Sequence, residues 1–159
     1  MTPVKLRPAL PGDLPELTVM VTALAAHHGD DSQITPQTLS RDLFADPPWV
    51  RVLVAQQGPA LAGYAALLPR YRLQFGQRGM DLHHLYVNPT QRGQGLGRRL
   101  IEASMAHAER AGCVALTVGT DSGNHHAQRL YEHIGFQKTS ADGVYYVRRF
   151  DSPTAETAI

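Results

Sequence analysis

The sequence predicts one domain of the α/β (α+β) class over residues 1–150, with a disordered tail over residues 151–159. The chain has 159 residues, and its 43% hydrophobic composition is sufficient for one core. Short apolar runs bounded by glycine or proline alternate with segments of helical periodicity. One strand-like run leads through three alternating glycines, Gly93, Gly95 and Gly97, into an amphipathic helix.

The charge balance and the cysteine count limit the partners and the compartment that we expect. Lysine and arginine number 15 against 14 acidic residues, a formal charge of +1. The net charge is therefore too small to produce an electrostatic field that would favour binding to nucleic acid or to a membrane surface. The single cysteine, Cys113, fits a reducing compartment, and no segment has the pattern of a signal peptide or a membrane span. We expect a cytoplasmic protein with no nucleic-acid or membrane partner.

The first third of the chain reads as a strand and two helices. Val4–Arg7 is a short strand, and Asp13 with Glu16 has the spacing of a capping box that opens a helix ending near His28. The apolar residues of that helix recur at helical spacing, at Leu14, Leu17, Val21 and Leu24. A shorter helix is expected from Thr35 to Phe44, before Asp46-Pro47-Pro48.

The middle of the chain predicts an antiparallel hairpin and a further strand. Trp49–Ala55 and the run from Leu61 towards Tyr71 are the two strands of the hairpin, joined by a Gly-Pro turn. Arg72–Gly79 is polar and contains two glycines, so we expect an exposed loop there. Asp81–Val87 is the strand that enters the glycine segment.

The last part of the domain predicts two helices and two strands. The helix after the glycines has one apolar face, made of Leu100, Ile101, Met105, Ala108 and Ala111. Val114–Val118 is a short buried strand. A second helical stripe contains Ala127, Leu130, Tyr131 and Ile134, and Val144–Arg148 reads as a last strand.

The glycine segment predicts an anion site. Closely spaced glycines at a helix N-terminus let several backbone amides converge on phosphate, and Arg92, Arg98 and Arg99 add positive charge. A Walker loop would need Lys followed by Ser or Thr where Arg98-Arg99 stands. A Rossmann fingerprint would need wider glycine spacing near the start of a βαβ unit. A plain turn that only joins a strand to a helix is the alternative.

Two motifs resemble those of the GNAT superfamily of acyl-CoA-dependent N-acetyltransferases. Arg92-Gly93-Gln94-Gly95-Leu96-Gly97 resembles its Arg/Gln-x-x-Gly-x-Gly/Ala motif, and Asn124–Phe136 is similar to Asn-x-x-Ala-x-x-Leu-Tyr-x-x-x-Gly-Phe. The opening Leu6–Asp13 also matches a common start of the family. The resemblance implies a single GNAT-type domain, with a central mixed, mostly antiparallel sheet flanked by about four helices.

The resemblance implies acetyl-CoA as the acetyl-donor cosubstrate. The backbone amides that would hold its pyrophosphate belong to Arg92, Gly93, Gln94, Gly95, Leu96, Gly97 and Arg98. The strand end Leu85, Tyr86 and Val87 would contact the pantetheine arm, with the backbone of Leu85 and Val87 pairing with it like an added strand. Asn124 would form a hydrogen bond near the pantetheine. We expect the Leu96 side chain to pack in the protein core and not to contact the ligand.

The resemblance also implies the residues that would move protons. Tyr131 occupies the position of the acid that protonates the leaving thiolate, although a core aromatic on the apolar stripe is the alternative. Base candidates lie on the preceding strand, where a period of two puts Asp81, His83 and Leu85 on one face and Leu82, His84 and Tyr86 on the other. His83 is the expected base, with Asp81 tuning it or binding the substrate ammonium.

Several alternatives remain open at this site. A bulge in the strand would exchange His83 for His84, and a water chain could carry the proton instead. An equal alternative is that His83 and His84 are ordinary half-buried side chains without a catalytic role. Three His-His pairs invite a metal interpretation, but none has the spacing of a zinc motif, so we expect no metal site. The pairs are His27-His28, His83-His84 and His125-His126.

The expected function is transfer of an acetyl group from acetyl-CoA to a primary amine of a small molecule, by direct attack in a ternary complex. Gly63-Tyr64-Ala65 and Leu85-Tyr86-Val87 resemble the diamine (spermidine/spermine) acetyltransferase branch, which has acidic residues where this chain has His83-His84. A polyamine or an amino-acid-like amine therefore remains open. The segments expected to shape the acceptor pocket are Asp30-Asp31, Thr35–Phe44, Trp49 and the loop Tyr71–Gly76.

Two further functions and one assembly remain as alternatives. The chain could acetylate a protein or peptide amine, or it could bind acyl-CoA as a sensor without turnover. Members of the resembling branch are frequently homodimers, and the Val144–Arg148 strand is the segment that could contribute to such an interface. The sequence does not indicate which acyl group is used.

Overall fold

A computed structural model describes residues 2–140 and 143–151, and it contains a five-stranded sheet and four α-helices. The strands and helices are β1 Val4–Pro8, α1 Leu14–His27, α2 Pro36–Leu43, β2 Arg51–Gln57, β3 Ala60–Arg72, β4 Gln77–Val87, α3 Leu96–Arg110, β5 Cys113–Val118 and α4 His125–Ile134. None of the helices in this described part of the chain is long and apolar enough to cross a membrane.

The sheet has the order β1-β2-β3-β4-β5. Neighbouring strands from β1 to β4 are antiparallel, whereas β4 and β5 are parallel. Short turns join β2 to β3 and β3 to β4, which makes these pairs antiparallel, whereas the parallel pair β4 and β5 needs a crossover, which α3 provides. The predicted mixed, mostly antiparallel sheet with about four helices is confirmed.

The sheet is covered on both faces. On one face α1 and α2 pack against a cluster that includes Leu17, Val54 and Tyr64. On the other face α3 places Leu100 and Ile101, both fully buried, against the sheet. The apolar face predicted for α3 is confirmed, since Ala108 is also buried and Met105 and Ala111 pack at its margin. These two faces are called the α1/α2 face and the α3 face below.

The start of α1 differs from the predicted capping box. Asp13 is the residue before the helix, but its side chain makes no cap hydrogen bond to α1. Its carboxylate instead accepts hydrogen bonds from the Arg7 guanidinium at 2.7 and 2.9 Å and from the Leu10 amide at 2.7 Å. Glu16 accepts from the Leu61 amide at 2.8 Å. Both acids are used in contacts that fasten α1 to the sheet, which is why the local motif is not formed.

Two other predicted segments also differ. Arg72–Gly79 is not simply an exposed loop, because β3 runs through Arg72 and β4 begins at Gln77, so the hairpin extends beyond the core. Its tip carries Tyr71–Gly76 and lies about 20 Å along β4 from His83, at roughly 3.3 Å per residue. The tip therefore lies at the end of β4 away from the glycine turn, and the expected role of this loop in the acceptor pocket stays a prediction.

The predicted last strand, Val144–Arg148, is not a strand in the described residues 143–151. Side chains at even and at odd positions are both exposed, including Tyr146 at 94% and Val147 at 73%. An alternating pattern becomes a strand only where a neighbouring strand supplies hydrogen bonds and one face is buried, and this segment has neither in the described structure. Residues 152–159, which make up all but the first residue of the predicted disordered tail, lie outside the described residues.

Candidate active site

The sheet opens between β4 and β5. The parallel pairing runs from Arg78 with Cys113 to Leu82 with Val118, where β5 ends. Strand β4 continues to Val87, and over those last five residues it pairs only with β3 within the described chain. One side of the β4 backbone is therefore available to an extended ligand, which can bind there as an added strand. Leu85 and Val87, two of the predicted contacts, lie in this opening.

The glycine segment follows directly at the end of β4. Gly93 and Gly95 have φ values of 80° and 76°, which glycine adopts at no steric cost, and Gly95 is the residue before α3. A Cβ added at either glycine would meet no heavy atom within 4 Å, so the rest of the protein does not crowd the side-chain positions of this turn. The first amides of α3 lack intrahelical partners and carry the positive end of the helix dipole. This arrangement fits the predicted phosphate site.

The arginines of this segment have separate roles. Arg92 donates to the Val87 carbonyl at 2.9 Å and lies over the Tyr86 ring, so it fastens the glycine turn to the end of β4. Arg98 forms an exposed ion pair with Glu102 on the next turn of α3, at 2.9 Å. The Leu96 side chain is buried in the α3-face core, as predicted, so only its backbone amide can reach a ligand.

A β-bulge changes which face the histidines occupy. Ala66 pairs with His84 and Leu67 pairs with Leu82, so His83 is an extra residue on β4. The alternation of a regular strand is therefore interrupted here, as the bulge alternative predicted: Leu82 and Leu85 both pack on the α3 face, whereas Tyr86 packs on the α1/α2 face. A bulge places two consecutive residues opposite one, which shifts the alternation by one position.

The bulge brings His83 and His84 together. Their rings are stacked, with centroids 4.4 Å apart and an interplanar angle of 14°. His83 is exposed, whereas His84 is half-buried and its Nδ1 lies 3.0 Å from the hydroxyl of the fully buried Tyr64. Burial, with smaller contributions from the charges of His83 and His28, lowers the pKa of His84 to about 4. His84 is consequently neutral at pH 7.

Sequence reasoning missed two members of this group. Tyr64 is 20 positions from His84 in sequence, and His28, just after α1, approaches from another element. Burial and the neighbouring Tyr86 raise the pKa of Tyr64, so its hydroxyl keeps its proton. No local pattern could reveal these contacts, because they depend on the β3–β4 register and on the packing of α1 over the sheet.

Asp81 lies one residue before the opening and has its own partners. Its Oδ1 accepts a hydrogen bond from the Thr117 hydroxyl on β5 at 2.6 Å, and Arg70 on β3 donates to the same hydroxyl oxygen at 3.3 Å. No hydrogen bond joins Asp81 to His83 among the described residues. The structure therefore holds Asp81 from the β5 side through Thr117, which Arg70 contacts in turn, and the sequence indicated neither of these two residues.

The second motif forms α4, on the other side of the opening. The Asn124 side-chain oxygen accepts from the Ala127 amide at 3.1 Å and so caps α4. Tyr131 is half-buried against Phe136 and packs at the margin of the α3-face core, as do Leu85 and Val87. Burial raises the pKa of Tyr131, so the phenol remains protonated at neutral pH and can donate a proton.

A cavity of about 930 Å³ lies between β5 and α4, and Tyr131 and Val118 contribute to its lining. Tyr131 thus lies on the α3 side of the sheet, whereas Tyr64 and its partner His84 lie on the α1/α2 side. The predicted acid therefore lies on the α3 face, and His84, the alternative base, lies on the α1/α2 face. Within the described ranges, no three His, Cys, Asp or Glu side chains form a group that could hold a metal ion.

A family model described as "Acetyltransferase (GNAT) family" matches residues 19–136. The chain belongs to the GNAT family of acetyltransferases. The predicted family and the predicted acyltransferase class are confirmed, and GNAT acetyltransferases use acetyl-CoA as the acetyl donor.

Relatives and solved structures agree with this classification. Thialysine N-epsilon-acetyltransferase of Bos taurus is 31% identical over 156 residues, 91% of each chain. L-methionine sulfoximine/L-methionine sulfone acetyltransferase of Salmonella typhimurium is 34% identical over 89 residues, 56% of this chain and 52% of that protein. An aminoglycoside acetyltransferase from a soil metagenome superposes with a TM-score of 0.77 at 18% identity, covering 92% of this chain and 97% of its own, which supports the GNAT fold.

Proposed function

We propose that this chain transfers an acetyl group from acetyl-CoA to a primary amine of a small molecule, by direct attack in a ternary complex. The observation that carries the proposal is the opening beside β4, which has the glycine turn at its end and the stacked histidines at its side. An extended thioester and an amine could approach each other through this opening from opposite faces of the sheet.

The residues around the opening fit acetyl-CoA. The amides of residues 92–98 would hold the pyrophosphate, because the positive-φ glycines lead directly into the N-terminus of α3. The backbone of Leu85 and the amide of Val87, whose carbonyl already accepts from Arg92, would pair with the pantetheine arm. Tyr86 lies between these two residues and keeps Arg92 over its ring, which holds the strand end against the turn. Asn124 caps α4 and would contribute its amide NH₂ group near the same arm.

Bound acetyl-CoA supplies a thioester whose carbon is attacked and whose thiolate leaves. Attack forms the C–N bond and breaks the C–S bond; the ammonium nitrogen loses one proton before attack and a second, to water, after it, and sulfur gains one proton. His83, exposed at the bulge, would accept the proton of the amine. A backbone N–H near Val87 would donate to the developing oxyanion. Tyr131 would protonate the thiolate and regain its proton from solvent.

Asp81 would bind the substrate ammonium before deprotonation. Thr117 already occupies Oδ1, which leaves Oδ2 for the incoming cation. The chain has histidines where the resembling diamine branch has acidic residues, so the site offers fewer negative charges than a polycation pocket would need. The relatives named for thialysine and methionine sulfoximine support an amino-acid-like amine, with a polyamine as the competing substrate.

The test is a panel of amines assayed by thiol release from acetyl-CoA. Lysine and cadaverine form a matched pair, because they present the same primary amine with and without a carboxylate; spermidine and a peptide with a free N-terminus complete the panel. Cys113 is the single cysteine and gives a constant background that a reaction without amine measures. We expect turnover of at least one small amine. Turnover of the peptide alone would overturn the proposal in favour of a protein acetyltransferase, and binding without turnover would favour a sensor.

A further inference from the structure

The hydrogen bond between Tyr64 and His84 has a direction that the surroundings determine. Tyr64 is 1% exposed, and His84 is the only hydrogen-bond partner of its hydroxyl among the described residues. If His84 donated from Nδ1, the phenolic proton would be buried without an acceptor, which is costly. If Tyr64 donates, the proton is used and only oxygen lone pairs remain unfilled. The second arrangement is therefore the stable one.

This direction determines where the imidazole proton lies. A neutral histidine carries one proton, and a ring nitrogen that accepts a hydrogen bond cannot carry it. With Nδ1 accepting from Tyr64, the proton of His84 is on Nε2. Nε2 has no hydrogen-bond partner in the described parts of the chain, and it is not among the side-chain nitrogens closed off from solvent. His84 thus presents an N–H group with no protein acceptor.

His83 differs in each of these respects. Its ring is exposed and lies nearly parallel to that of His84, so the two rings are stacked and not joined by an in-plane hydrogen bond. No residue in the described chain forms a side-chain hydrogen bond to it. Its nitrogen lone pair remains available to a proton, whereas that of His84 is occupied by Tyr64.

We propose that Tyr64 is a positioning residue that fixes His84 as the Nε2–H tautomer, which makes His84 a hydrogen-bond donor in the acceptor site and leaves His83 as the histidine that accepts the proton. The catalytic part of this inference rests on the proposed function, but the tautomer does not. A donor at this place binds an oxygen of the acceptor molecule, such as a carboxylate or a carbonyl.

The tautomer can be measured without catalysis. In ¹⁵N-histidine-labelled protein at pH 7, the His84 signals are identified by their loss in His84→Gln, among 8 histidines. We expect a pyridine-type Nδ1 and a pyrrole-type Nε2. Tyr64→Phe removes only the hydroxyl, and the fraction of the Nδ1–H tautomer, which is the minor form of a free neutral histidine, should then rise. The control Tyr71→Phe, on the exposed hairpin tip, should leave the His84 signals unchanged. A protonated Nδ1 in the unmodified protein, or a fraction of Nδ1–H that does not rise in Tyr64→Phe, would overturn the proposal.

The role is tested by kinetics on whichever amine the panel identifies. His84→Gln keeps an amide N–H near the former Nε2, whereas His84→Leu has no donor. We expect His84→Gln to raise KM less than 10-fold and His84→Leu to raise it by 10-fold or more, and in both variants kcat should change less than KM. A tenfold change in KM corresponds to about 1.4 kcal/mol of binding free energy. His83→Gln should instead lower kcat. If His84→Gln and His84→Leu lower kcat equally while His83→Gln retains activity, the roles of the two histidines are reversed. If no amine of the panel is acetylated, the proposed function fails, but the tautomer of His84 is still decided by the NMR measurement.

Discussion

Acidification should destabilise this protein through His84 in particular. Its pKa is about 4 in the folded chain against an ordinary 6.5, mainly because it is partly buried. The unfolded chain therefore binds a proton more readily, so the free energy of unfolding is retained above pH 6.5 and falls as the pH drops towards 4. At pH 5 the full shift would correspond to about 2 kcal/mol, from 1.36 kcal/mol per pH unit. Since His84 is only half-buried, solvent screening reduces our expectation to about 1 kcal/mol.

Urea denaturation at pH 7 and pH 5 measures this effect. The free energy of unfolding should fall by about 1 kcal/mol more in the unmodified protein than in His84→Gln, because the variant has no imidazole to titrate. The pKa of His107 is also lowered, by burial and by Arg51 and Arg110, so His84→Gln retains part of the pH dependence. His133→Gln, an exposed position on α4, controls for the loss of a histidine. An equal fall in His84→Gln and in the unmodified protein would refute the reasoning.

Three other substitutions have defined outcomes. Tyr131→Phe should lower kcat by about 100-fold or more, as for loss of a general acid, and leave coenzyme A affinity by calorimetry unchanged; unchanged turnover would exclude it as the acid. Gly63→Ala should weaken coenzyme A binding and lower the free energy of unfolding in urea by about 1–3 kcal/mol, because the alanine Cβ would overlap the Tyr86 carbonyl oxygen of β4. An unperturbed affinity would argue against β4 as the edge that binds the cofactor. Asp13→Asn should cost about 2 kcal/mol in the same assay, since the half-buried Arg7 loses a two-point ion pair, and no loss would mean that the pair is not stabilising.

The parts of the fold that depend on local periodicity were predictable. The stripe of α3 identifies Leu100 and Ile101 as core residues because a helix with a 3.6-residue repeat can bury only one face. The glycine turn was equally readable, since closely spaced glycines before a helical stripe leave few structural alternatives. Both features are encoded within about one helix length of sequence.

The parts that failed depend on partners distant in sequence. Asp13 and Glu16 have capping-box spacing, but the Arg7 guanidinium and the Leu61 amide use their carboxylates. Thr117 could not be recognised as a partner of Asp81 until the parallel register of β4 and β5 was known. A local motif states what a side chain can do, and the tertiary contacts decide which of those interactions it makes.

The bulge on β4 explains how two identical neighbours could take different roles. In a regular strand His83 and His84 would lie on opposite faces, so a ligand on one face could meet only one of them. The extra residue places the two rings face to face in a stack. The buried hydroxyl of Tyr64 then reaches the ring of His84 and not that of His83. That contact leaves the exposed ring with a free lone pair and the half-buried ring with a free N–H. The difference in chemistry therefore arises from one inserted residue and one buried phenol, neither of which the alternating pattern contains.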